Sequence, residues 1–161
     1  MRGVWAALAV LVPVVAWADE PKEVGHVNTA LTNLGLTRSH RVVVERFDDP
    51  KVAGVSCWMS HARTGGVSGM VGLAEDPSRF AITCAVTGAV TFRAALRDRE
   101  QGEEVFERDT SLFFKETSVT RFLDRERNAL VYLAWSTKLI DGSPYNAVGV
   151  VALPEGVKLP N

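Results

Sequence analysis

Residues 118–137 read SVTRFLDRERNALVYLAWST, and this stretch decides the fold class. Val119 to Leu123 and Ala129 to Trp135 are runs rich in β-branched, aromatic and aliphatic residues, joined by the polar link Asp124-Arg125-Glu126-Arg127-Asn128. Two such runs around a short polar connection predict a β-hairpin. The second run is apolar at odd and even positions alike, which predicts a strand inside a core and not at an edge.

Strand and turn signals recur on both sides. Val42, Val43 and Val44 favour a strand over 41–47, Asp48-Asp49-Pro50 ends it in a turn, and 51–60 is read as the returning strand of a hairpin. Further strands are predicted over 80–86, 103–107, 111–114 and 147–153, with 89–92 a weaker candidate. Helical spacing at Val27, Leu31 and Leu34 is interrupted by Gly25 and Gly35, while Ala94 to Arg99 is compatible with one short helix. The tail from Pro154 carries little apolar weight. The expected fold is mainly β, an antiparallel sandwich or partly open barrel with one or two short helices; an α+β arrangement is the alternative.

The N-terminus sets the expected chemical environment. Met1-Arg2-Gly3 is positively charged, Val4 to Val15 is apolar except for Pro13, and Ala16-Trp17-Ala18 fits a small-x-small cleavage site. This predicts a signal peptide over 1–18, cleaved after Ala18, and a periplasmic location. The apolar run is shorter than the ~20 residues of a spanning helix, so no stable membrane insertion is expected after cleavage. The rest, 19–161, is expected to form a single domain. Losing Arg2 leaves 17 basic and 19 acidic side chains, a balance that argues against nucleic acid held by bulk charge.

Cys57 and Cys84 are the only cysteines, and in an exported chain they are read as one disulfide. Their spacing is unlike the Cys-x-x-Cys of redox-active pairs. Between them lies a segment containing Gly65, Gly66, Gly69 and Gly72. Arg63-Thr64-Gly65-Gly66 suits a backbone nest for a phosphate or carboxylate, although no Gly-Lys-Ser/Thr follows as in a nucleotide loop. Glycines that merely permit unusual backbone angles explain the segment more simply.

No catalytic residues emerge. His26, His40 and His61 are the only histidines, and neither a Gly-x-Ser-x-Gly elbow nor a His-Glu-x-x-His helix is present. The adjacent carboxylates of Asp48 and Asp49 are read as turn formers, since a hard cation needs more oxygen ligands than these two supply. No metal and no cofactor are expected. Trp58, Trp135, Tyr132, Phe113 and Phe114 are read as core in preference to a lipid pocket, and the mixed charges of 93–108 as a solvated face.

Six blocks taken together carry a resemblance. Val43-Val44-Glu45-Arg46-Phe47-Asp48-Asp49-Pro50, Arg63-Thr64-Gly65-Gly66, Gly72-Leu73-Ala74-Glu75-Asp76, 110–115, 127–134 and 142–147 resemble, in this order, the CreA family of exported bacterial proteins. The resemblance runs from about Gly25 to Val151 and includes the positions of both cysteines. It implies a small periplasmic protein of Gram-negative bacteria and carries over no catalytic residue. At position 61 the family pattern has a basic residue, so His61 is a departure that weakens a catalytic role for it.

Two functions are weighed. The first is a non-enzymatic envelope protein that binds a small anion or an envelope protein through Arg63, Thr64, Gly65, Gly66, Glu75 and Asp76. The alternative is an envelope hydrolase whose groups converge only in three dimensions.

Overall fold

The computed structural model describes residues 21–28, 40–64, 79–109, 116–140 and 143–161. Eight strands are seen there: β1 (Lys22–Asn28), β2 (His40–Asp48), β3 (Val52–Thr64), β4 (Phe80–Phe92), β5 (Glu103–Asp109), β6 (Glu116–Asp124), β7 (Ala129–Ile140) and β8 (Ser143–Ala152). They form two antiparallel meanders, β1-β2-β3-β4 and β5-β6-β7-β8. The result is a mainly β, sandwich-like fold that is not closed into a barrel.

The short helix expected over 94–99 is not found, and no described residue is helical. After β4 the chain bends away, Leu96 packs against the core, and the Arg97 N–H goes to the Glu103 carboxylate instead of an intrahelical carbonyl. The expected strand over 80–86 continues without a break to Phe92, so Gly88 lies within β4 and does not punctuate it. Residues 24–28, open to a helical reading, belong to β1; 29–36 and the expected strand 111–114 lie outside the described residues.

Alternation explains which faces meet. Val43, Glu45 and Phe47 of β2, and Cys57, Met59 and His61 of β3, are buried, with more exposed residues between them along β2. The opposing sheet contributes Val105, Phe106, Val119, Leu130, Tyr132, Ala134 and Val151. Phe47 stacks on Phe106 with ring centroids 4.7 Å apart, setting β2 over β5. At the other margin β8 lies close on β4: a Cβ on Gly149 would stand 3.2 Å from Cys84 Sγ. The central position predicted for 129–135 is observed, since β7 lies between β6 and β8. Its second face, with Val131, Leu133 and Trp135, is half-buried on the outside of the sheet.

Cys57 and Cys84 are directly opposite each other on β3 and β4 and are joined in a disulfide, with Cα atoms 4.0 Å apart. Nearby, the β3–β4 register shifts between Ala53 and Val55. Gly54 sits there at φ 76°, and a Cβ would fall 2.5 Å from the Ala89 carbonyl oxygen. A bulge with a left-handed residue pressed on a neighbouring strand is a position only glycine fills without strain.

The C-terminal tail is better anchored than its composition suggests. Asn128, in the β6–β7 turn at φ 51°, donates to the Val157 carbonyl at 2.7 Å and accepts from the Leu159 N–H at 3.0 Å. Val157 and Leu159 thereby pack against the core.

Mass spectrometry of non-reduced protein is expected to show Cys57 linked to Cys84, and Cys57→Ser to lower urea stability by ~3 kcal/mol. Gly54→Ala is expected to cost about 2–3 kcal/mol in the same measurement.

Candidate functional site

Two polar constellations stand out from the core, one sealed and one open. The sealed one begins at the β2–β3 turn. Asp49 Oδ1 accepts the backbone N–H of Lys51 at 2.8 Å and of Val52 at 3.0 Å, which is the turn-forming role expected of it. The same carboxylate crosses to the other sheet. Arg121 Nη1 lies 2.6 and 2.5 Å from its two oxygens, and the Tyr132 hydroxyl donates to Oδ2 at 2.7 Å. Arg121 Nη2 then donates to Glu103 Oε2 at 2.5 Å, and the Lys51 ammonium binds Glu103 Oε1. Arg121, Asp49 and Tyr132 are fully buried, so a turn, two strands of the second sheet and the start of β5 share one chain of charge-assisted bonds.

The titrations follow from that burial. Desolvation pushes the Tyr132 hydroxyl far up, reinforced by the Asp49 charge, so it remains a neutral donor. Burial also pushes the Glu103 carboxyl up, but the Lys51 hydrogen bond, the Arg97 N–H and the Arg121 charge more than reverse this and hold it below the ordinary range. The network has no open face at its centre. Its chemistry is structural.

The open constellation lies on the inner face of β1, β2 and β3, toward the far end of the sandwich. Residues directly paired across antiparallel strands share a face, so the register lays out three rows. Asn28, Arg41 and Arg63 form one, His26, Val43 and His61 the next, and Glu23, Glu45 and Met59 the third. Toward β1 the rows become exposed: His26 and Glu23 side chains are 39% and 35% accessible, whereas His61 and Glu45 are buried.

Each carboxylate on this platform holds an imidazole. His26 Nδ1 lies 2.8 Å from Glu23 Oε1, and His61 Nε2 lies 3.1 Å from Glu45 Oε2. Arg63 joins the pairs, donating through Nη2 to Glu45 at 2.8 Å with Nη1 3.8 Å from Glu23. The His26 hydrogen bond draws the Glu23 carboxyl down; desolvation is the next largest effect and opposes it, and the Arg41, His26 and Arg63 charges add to the lowering. Arg41 stands directly opposite Arg63, and among the described residues its guanidinium makes no hydrogen bond or close ion pair. Like charges facing each other across a ladder are unfavourable unless a counter-charge lies between them.

Of the residues singled out from the sequence, Arg63 is on this platform and Thr64 is the last residue of β3. Gly65, Gly66, Glu75 and Asp76 lie outside the described residues, as do Phe113 and Phe114. The structure brings Arg63 together with His26, His61, Glu23, Glu45, Arg41 and Asn28, a grouping spread over three strands that no local sequence motif carries. The available signal was parity: Arg41, Val43 and Glu45 alternate in phase with the buried Phe47. No group of three or more His, Cys, Asp or Glu among the described residues is placed to hold a metal ion. No helix among them is long and apolar enough to cross a membrane.

Comparison with known proteins places the chain. Residues 24–156 match the family model described as CreA protein. The chain belongs to the CreA family. It is 47% identical over 131 residues to Protein CreA of Escherichia coli K12, a match covering 81% of this chain and 82% of that protein. The same values hold for Protein CreA of Escherichia coli O6:H1 and O157:H7. No solved structure matches. The family-model match spans all eight strands except the first two residues of β1, so the sealed constellation falls within it, as does the open one apart from Glu23.

Arg121→Met is expected to lower stability by about 3–5 kcal/mol by leaving Asp49 buried without its partner, and Tyr132→Phe by about 1.5–3 kcal/mol. Below about pH 4.3 the unfolded chain takes up a proton that native Glu103 refuses, so stability falls as pH falls through that window. Glu103→Gln is therefore expected to be less stable at neutral pH but to show a shallower loss between about pH 5 and pH 3 in urea titrations.

Proposed function

We propose that this protein is a non-enzymatic binding module of the bacterial periplasm, and that its ligand is a small anion carrying hydrogen-bond donors. The export reading is supported by the pattern of residues 1–18 and by the disulfide, a bond that persists in oxidising compartments. The observation that carries the ligand reading is Arg41 facing Arg63 on a polar platform that opens to solvent at β1.

The chemistry matches a carboxylate or phosphate group. A guanidinium presents a planar fork to two anion oxygens, and the Asn28 amide lies in the same row as Arg41. Glu45 and Glu23 already bind Arg63 and the imidazoles directly, whereas Arg41 acts on Glu23 only through space and keeps its guanidinium fork without a direct partner among the described residues. Those carboxylates also disfavour a highly charged anion and favour a ligand whose hydroxyl or amide donors they can accept. In this reading Thr64, Gly65 and Gly66, which continue the chain from Arg63, and Glu75 and Asp76 complete the ligand set.

A thermal-shift screen of the mature protein against phosphate, small carboxylates and cell-wall fragments tests the proposal. At least one anion is expected to raise the melting temperature, with the shift declining in salt and disappearing in Arg41→Gln. Stabilisation by none, or equal stabilisation of Arg41→Gln, removes the anion reading.

A further inference from the structure

Among the described strands, β1 is hydrogen-bonded only to β2, so its other edge has no strand partner among the described residues. The other margins differ from it. The outer strands β4 and β8 lie against each other where Gly149 meets Cys84, and β5 begins with Glu103 and Glu104, the former tied to Lys51 and Arg121. By contrast β1 is exposed along nearly its whole length, with the burial pattern eeeieee.

Its two faces have different chemistry. On the inner face, His26 and Asn28 border Val43 and Arg41, and Arg41 supplies positive charge. On the outer face, Val27 and Val42 are paired across β1 and β2 and are 68% and 39% exposed. Val24, 60% exposed, adds apolar surface at the bulge between Glu23 and Gly25. A strand laid beside β1 has alternate side chains on these two faces.

We propose that β1 is a docking edge for an extended peptide segment of alternating acidic and apolar residues, which adds to the sheet as its next strand. Backbone hydrogen bonds along β1 supply the general attraction, and the two faces supply the pattern. Acidic side chains lie over His26, Asn28 and the arm of Arg41; apolar ones extend the Val27–Val42 strip. The Glu23 end repels a carboxylate, so the acidic residues that matter sit toward Asn28. Seven residues of β1 span roughly 23 Å, enough for about three side chains on each face. The peptide's carboxylates draw on the same Arg41 charge as the proposed anion ligand, while the strand addition itself depends only on the open edge.

The probe is acetyl-Val-Glu-Val-Glu-Val-Glu-Val-amide, titrated into the full mature protein and followed by fluorescence of a labelled peptide and by amide exchange. Binding is expected, with slowed exchange of β1 amides, at least tenfold weaker binding to Arg41→Gln, and weaker binding to Val27→Ser. The same peptide with Lys in place of Glu, and its fully N-methylated form, are expected not to bind. Equal binding of the Lys peptide, survival of binding after N-methylation, or unchanged β1 exchange overturns the proposal. A parallel titration with inorganic phosphate separates the two readings. If phosphate stabilises the protein through Arg41 and the peptide does not bind, the docking edge falls and the anion site stands. If the peptide binds and neither phosphate nor any other small anion stabilises the protein, the reverse holds.

Discussion

The buried pair of Asp49 and Arg121 is the interaction on which the rest of the molecule depends. Asp49 closes the β2–β3 turn by accepting two backbone N–H groups, and Arg121 brings that turn onto β6. Charges taken this far out of water are tolerated only when their hydrogen-bonding capacity is met. Tyr132 and Glu103 meet most of it. Among the described residues the Arg121 Nε is the one buried side-chain polar atom without a bond. The pair adds direction to the apolar attraction between the sheets. Burial of Phe47 on Phe106 is satisfied by many relative placements, whereas a guanidinium between two carboxylates accepts few.

With that end of the sandwich locked, the opposite end of the inner face has a different use. Phe47, Cys57 and Met59 fill the middle, and beyond them the inner side chains become Glu45, His61, Arg63 and Arg41. Sheet one continues past its partner through β1, so these groups grade from buried to solvent-exposed. A polar cluster on a rigid ladder is held in position by the strands, not by long loops. The disulfide at Cys57 and Cys84 adds to that rigidity, four residues before His61 on the same strand.

Much of the fold was legible in local pattern. The hairpin over 118–137 and that over 41–60 follow from β-branched runs around polar turns, and both are present with longer strands than expected. The disulfide followed from two cysteines in a chain read as exported. What local pattern missed has a common cause. The stretch 94–99 has helical spacing, yet Leu96 is drawn to the core and the Arg97 N–H to Glu103, contacts that outweigh weak propensity. Asp49 was recognised as a turn former but not as the acceptor for Arg121, 72 residues away, or for Tyr132, 83 residues away. The glycines that follow Arg63 suggest a loop role for it, while its observed partners are Glu45 and Glu23 on other strands.

By itself the sequence determined the strand-rich class, the turns, the pairing of its two cysteines and the family to which the chain belongs, because each is written in neighbouring residues or in their order. Tertiary structure alone decided which strands pair, in what register, and which charges share a face. A one-residue slip of β1 against β2 would turn His26 and Asn28 to the outside and leave Arg41 without its row. Register is set by the two sheets closing on a common core, and that closure belongs to the whole chain.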